Sequence, residues 1–235
     1  FFSLINFLIP NKKKDQPTQK VLFIKLIEQG ASVLAFSALN EAVEQYGKEN
    51  VYFLVFKENR PILDLLDVLE PKNILEINND SFIRFALDIF KAILKIRYKG
   101  IDSCIDMEFF SRASVLIAFL TGARKRAGLF SFTSEHPYRG SLITHKIHYN
   151  PYVHVSNYYL MLVRALKEKP VYEPLLKSEI EAYKTTLPKV TISNEVVESL
   201  KSKISLPPDF DKIVVLNPNA GDMLPIRKWE TENFK

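Results

Sequence analysis

Lys20-Val-Leu-Phe-Ile-Lys-Leu26, then Ile27-Glu-Gln-Gly30, then Ala31-Ser-Val-Leu-Ala-Phe-Ser-Ala-Leu-Asn-Glu-Ala-Val-Glu-Gln-Tyr46 decide the fold. The first piece is a short run of branched and aromatic residues, as a buried strand requires. The second is a turn ending in glycine. The third places Val33, Leu34, Ser37, Ala38, Glu41 and Ala42 on one mostly apolar stripe that stops before Gly47, which predicts a helix over 31–46. The unit then repeats. A strand over 51–56 precedes a helix over 60–69 with Pro61 in its first turn. A strand over 73–77 precedes a helix over 81–97 that Ser81 can cap. A strand over 101–107 precedes a helix over 111–120 that halts at Thr121-Gly122, and 124–129 reads as a fifth strand. Such alternation predicts an α/β fold, a Rossmann-like parallel sheet with helices on both faces.

Residues 130–151 break the rhythm. Tyr, His, Arg, Ser and Thr stand there among turn residues, so the expectation is a long surface loop of the kind that carries function. Helix returns over 152–167, and 171–208 reads as a connector holding one more helix at 194–203. Ile213-Val-Val-Leu-Asn217 then starts another strand, followed by Pro218-Asn-Ala-Gly221 and by Arg227-Lys-Trp229 at the mouth of a helix. A strand feeding a turn and a helix gathers free N–H groups and a positive dipole end, which is half of a phosphate site. The sequence stops at Lys235, about one turn into that helix. The expected organisation is a segment 1–19, a domain 20–190, a linker 191–211 and the truncated start of a second domain at 212–235, so that the chain is a fragment.

Composition narrows the classes. At 47% apolar residues the chain is a folded globular protein, and a net charge of +5 spread among acids is not that of a polybasic nucleic-acid binder. The single cysteine, Cys104, allows no internal disulfide and reads as a buried apolar residue. Phe1 to Pro10 is apolar but too short to span a bilayer, and Lys12-Lys-Lys14 follows it. That pattern suits an anionic membrane interface, through residues 1–14, and equally a frayed end or a helix packed on the domain.

Five patterns, in this order and spacing, carry a resemblance: Lys25-Leu-Ile-Glu-Gln-Gly30; Ile105-Asp-Met-Glu108 with Ser111-Arg112; Leu120-Thr-Gly-Ala123; Arg126-Ala-Gly128; and Val214-Val-Leu-Asn-Pro-Asn-Ala-Gly221 running to Arg227-Lys-Trp229. From about Val21 onward the chain resembles the family 9 glycosyltransferases, the lipopolysaccharide heptosyltransferase group. The resemblance implies the acceptor half of a GT-B fold, whose two Rossmann-like domains face one another across the reaction cleft. It further implies inverting, metal-independent transfer of a heptose-like sugar from a nucleotide-sugar such as ADP-heptose to a lipopolysaccharide or other cell-envelope glycan. No cofactor and no nucleic acid is implied, and the setting is cytoplasmic, peripheral on the inner face of the membrane. A fragment with one strand of the donor half is expected to be inactive alone.

The same resemblance assigns residues. The family base is an aspartate directly after the glycine of the first loop, and here that position is Ala31. Glu28, before Gly30, is the nearest carboxylate and the candidate general base; the plain alternative is a loop acid paired with Lys25. Gly30, Ala31, Glu108, Arg112, Tyr138, Arg139 and His145 are candidates for the acceptor site, with Thr144 and Asn150 beside them. Asp106 competes with Glu108, since residues two apart on a strand face the same side. Arg112 suits either a pair with Glu108 or an acidic acceptor group. His145, His148 and His154 admit a metal reading but lack an acid or cysteine to complete it, so hydrogen-bonded histidines are the simpler account. Asn219, Ala220, Gly221, Arg227 and Lys228 are the candidates for the donor diphosphate.

Three rival classes are weighed against this one. Ala31 favours a family member that has lost its base and serves as a carbohydrate-binding or scaffold protein. A dinucleotide oxidoreductase lacks its G-x-G-x-x-G after the first strand, and an RNA-binding sheet lacks its aromatic motif.

Overall fold

The computed structural model describes residues 16–109, 111–130, 139, 142–169, 186–204, 214 and 230–234. The chain divides into two compact units, Phe1–Val190 and Thr191–Lys235.

In the first unit the strands are β1 (Val21–Ile24), β2 (Val51–Phe56), β3 (Ile74–Ile77), β4 (Ser103–Asp106), β5 (Lys125–Phe130) and β6 (His145–His148). The helices are α1 (Gln29–Leu34), α2 (Phe36–Tyr46), α3 (Arg60–Leu66), α4 (Phe82–Tyr98), α5 (Arg112–Leu120) and α6 (Val155–Ala165). Six parallel strands lie in the order β3-β2-β1-β4-β5-β6. Because helices cover both faces, β1 is apolar throughout and all four of its residues are inaccessible. One core joins Val21, Phe23, Phe53 and Ile105 to α2, α3 and α6. The opposite core joins Leu22, Ile24, Leu54 and Cys104 to Ala92 and Ile96 of α4 and to Ile117 of α5. Cys104 is a free, buried thiol that burial pushes well above its usual range.

Chain order runs outward from β1 to β3, returns, and leaves again from β4. The direction of winding thus reverses between β1 and β4, and the carboxyl ends of two strands at such a switch point are where open α/β sheets bind their ligands.

Local chemistry accounts for the boundaries. Ser81 and Ser111 accept from the backbone N–H groups of Arg84 and Ser114 and so cap α4 and α5. Gly47, at φ 85°, ends α2 in a conformation that side chains rarely adopt. The helix expected over 31–46 begins earlier, at Gln29, and divides at Ala35, where ψ opens to −3°.

The expectation of a surface loop over 130–151 is corrected. β6 lies inside that stretch, paired in parallel with β5 from Ala127↔His145 to Phe130↔His148. Leu142 and Ile143 are buried against Val115 and Phe119. Arg139 and His145, expected on the exposed loop, are 2% and 0% exposed. Gly128 explains part of this, since a Cβ there would come within 2.9 Å of Ile143. With no side chain, β5 lets that segment lie directly on it.

The described residues of the second unit include α7 (Asn194–Lys203), capped by Ser193, and the 3-10 turn Thr231–Phe234. The strand expected at 213–217, except Val214, lies outside the described residues, as do Tyr138, Asn219, Ala220, Gly221, Arg227, Lys228 and the apolar–basic segment 1–14.

Candidate functional site

Lys25 follows β1 on the same face as Val21 and Phe23, and only 1% of it is exposed. A buried ammonium requires counter-charge. It has two: Nζ donates to Glu108 Oε2 at 2.9 Å and to Glu28 Oε2 at 3.1 Å. The other oxygen of Glu108 accepts from the backbone N–H groups of Leu26 and Ile27 at 2.8 and 3.2 Å. Asn59, from the turn after β2, donates to Leu26 O at 2.7 Å. The turn after β1 is thus held from both neighbouring strands, and Glu108 does most of the holding.

Glu28 differs from Glu108 in exposure. Its side chain is 64% exposed and it stands at φ 70°, a region that costs a non-glycine residue free energy. Two carboxylates share one ammonium, and the one that reaches solvent is Glu28. Oε1 of Glu28 takes no hydrogen bond within the described residues. Gly30 and Ala31 lie in α1; Gly30 is exposed, whereas Ala31 is packed into the core at 9%.

Tyr159 of α6 lies close enough to feel both carboxylates. Its hydroxyl is buried without a hydrogen-bond partner, and burial, with the charges of Glu108 and Glu28 adding, pushes its phenol well up. Beside it Phe109 makes edge contacts with Tyr149 and Tyr158, which stack on each other.

Asp106 does not join Glu108. β4 ends at Asp106, so the two-residue alternation stops there and the side chains separate. Asp106 accepts from Ser114 Oγ at 2.8 Å, from the Glu108 N–H at 3.0 Å and from the Arg139 guanidinium. Burial outweighs these partners and raises its carboxyl to about 6. Arg139 also donates to Leu129 O at 3.0 Å, which makes it a staple between β5 and β4. Arg126 acts similarly, donating to Leu142 O and Ala123 O.

Of the expected site residues, the fold brings Glu28 and Glu108 together through Lys25. Arg112 opens α5 at the same sheet edge, exposed and paired with no described group; Glu108 pairs with Lys25 instead. His145 bonds Thr144 and Glu168 O inside the protein, and His154 caps α6. Among the described residues no group of three or more His, Cys, Asp or Glu side chains could hold a metal ion. The pair of Glu28 with Lys25 is the plain alternative that the sequence offered; the burial of Lys25, its second partner Glu108, and the roles of Asn59 and Tyr159 were not singled out by sequence. A lysine on the inward face of an otherwise apolar strand run is the signal that would have found the first.

No protein-family profile and no curated protein sequence matches the chain. Solved structures do. E. coli ADP-heptose lipopolysaccharide heptosyltransferase II superposes with a TM-score of 0.56 at 14% identity, over 80% of this chain and 51% of that one. The family 9 glycosyltransferase of Veillonella parvula DSM 2008 gives 0.55 at 11%, over 82% and 51%. E. coli heptosyltransferase WaaC with ADP gives 0.50 at 16%, over 66% and 49%. The chain spans about half the length of these structures. At such identities the likeness is one of fold alone: the parallel α/β sheet of this chain is similar to that of these glycosyltransferase structures.

Proposed function

We propose that this chain is the acceptor-binding part of an inverting, metal-independent glycosyltransferase that moves a heptose-like sugar from a nucleotide-sugar such as ADP-heptose to a lipopolysaccharide-type acceptor. The observation that carries the reading is the Glu28–Lys25–Glu108 cluster at the switch point of the sheet. In such a reaction the acceptor hydroxyl gives its proton to a carboxylate as its oxygen attacks the anomeric carbon. The bond from that carbon to the diphosphate breaks, and the nucleoside diphosphate leaves with the electron pair. Glu28 suits the base: Lys25 fixes Oε2, and Oε1 is open to an incoming hydroxyl. Glu108 positions it by clamping the turn. Exposed Arg112 would meet an acidic group of the acceptor. Asn219, Ala220, Gly221, Arg227 and Lys228 would receive the diphosphate.

The test is Glu28→Gln in the complete protein, followed by release of ADP from ADP-heptose in the presence of acceptor. Turnover should fall by about a hundredfold or more, with the far-ultraviolet spectrum unchanged. Unaltered turnover removes Glu28 from the mechanism. The core-packed methyl of Ala31, where the family's base would stand, favours a second reading, a carbohydrate binder without activity. Acceptor binding by calorimetry with no ADP release from the unmodified protein would establish that one.

A further inference from the structure

Helix α4 is apolar on two opposite sides, and the sheet satisfies only one of them. Ala92 and Ile96, with Phe85 and Ile89 partly buried beside them, pack on β1 to β4. On the far side Ile83, Leu87, Phe90 and Leu94 recur at helical spacing and are 71%, 52%, 60% and 52% exposed, with Phe82 and Tyr98 at 83% and 93% near the ends. At 3.6 residues per turn these four side chains form one continuous strip. An apolar strip of this length on a folded domain marks a contact surface. Its borders are basic: Arg84, Lys91 and Lys95 run along one margin and Arg97 along the other, all exposed. The acids nearby are few. Asp80 meets Arg84 at 3.5 Å and Asp88 meets Lys91 at 3.9 Å, both loosely.

The combination of an exposed apolar strip and cationic margins selects the partner. A second copy of the same helix would bring like charges together, which opposes pairing. A bilayer surface rich in anionic lipid accepts both features, with the apolar side chains among the upper acyl carbons and the ammonium and guanidinium groups at the phosphates. No helix among the described residues is long and apolar enough to cross a membrane, so α4 would lie along the surface. We propose that the outer face of α4 is the docking surface of this protein on anionic membranes. The strip starts just after β3, at the same carboxyl end of the sheet as Glu28.

The test is flotation of the complete protein with vesicles of phosphatidylglycerol and phosphatidylethanolamine, without substrates, so that the result is independent of the catalytic reading. The unmodified protein should float with these vesicles and not with phosphatidylcholine. Leu87→Asp with Phe90→Asp should weaken partition by about tenfold or more, and Lys91→Gln with Lys95→Gln should weaken it on anionic vesicles. Replacing Lys12, Lys13 and Lys14 by Ser should leave most binding in place. If the aspartate variant loses its helical spectrum, the glutamine variant decides. Equal flotation of α4 variants and parent, loss confined to the Lys12–Lys14 variant, equal binding to phosphatidylcholine, or no flotation at all would each overturn the proposal. So would a concentration-dependent dimer that Phe90→Asp abolishes, which would give the face to a second copy.

Discussion

Two carboxylates only two residues apart meet opposite fates. Asp106 and Arg139 are sealed at about 1% and 2% exposure, whereas Glu108 shares the ammonium of Lys25 with a glutamate that reaches water. The chemistry of the two centres is the same, acid against base. What separates them is a gradient of exposure: the first ends inside the protein on Ser114 and Leu129, and the second continues outward to Glu28. A closed pair stabilises a fold, while a pair with one open member can also act on a ligand.

That contrast can be broken most forcefully at the sealed centre. Arg139→Ala would leave a buried carboxylate without its cation, and urea unfolding should register a loss of about 3–5 kcal/mol; a change within error would mean that the pair does not hold β4 to β5. Glu108→Gln keeps the shape and one acceptor for the Leu26 and Ile27 N–H groups but removes half of the counter-charge on Lys25. The expected loss is about 1.5–3 kcal/mol, and an effect equal to that of Arg139→Ala would erase the distinction between the centres.

Acid titration sharpens the comparison further. Burial holds the Asp106 carboxyl up at about 6 against its usual 3.8, so between these values the folded chain keeps a proton that the unfolded chain has released. Its contribution to stability is full on the acid side, falls as pH rises from about 4 to about 6, and is level beyond. The stability profile of the protein minus that of Asp106→Asn should slope downward through this window; a flat difference would show that Arg139, not desolvation, governs the group. The smallest effect belongs to the open member. Glu28→Gln should change unfolding stability by no more than about 0.5 kcal/mol, in contrast to its expected effect on turnover.

The sheet was legible because β1 to β3 are mostly apolar runs and β1 to β4 each lead into a helix, two of them with the readable caps Ser81 and Ser111. β6 was not, because His145-Lys-Ile-His148 contributes only Ile147 to the core and its buried histidine looks polar in one dimension. Glu28 and Glu108 could be picked out as carboxylates after neighbouring strands. Their bridge through Lys25 could not, since it depends on β1 and β4 being adjacent although 82 residues of chain separate Ile24 from Asp106. The burial of Arg139 was hidden for the same reason: its partner Asp106 lies across the sheet, 33 residues earlier in the chain.

The backbone at Glu28 has one more consequence. A residue at φ 70° without glycine's freedom is a local concession in stability, and Glu28→Gly should come out about 1 kcal/mol more stable than Glu28→Ala. The bend aims the carboxylate as a bent wrist aims a hand, so its direction is set by the peptide plane before any ligand arrives.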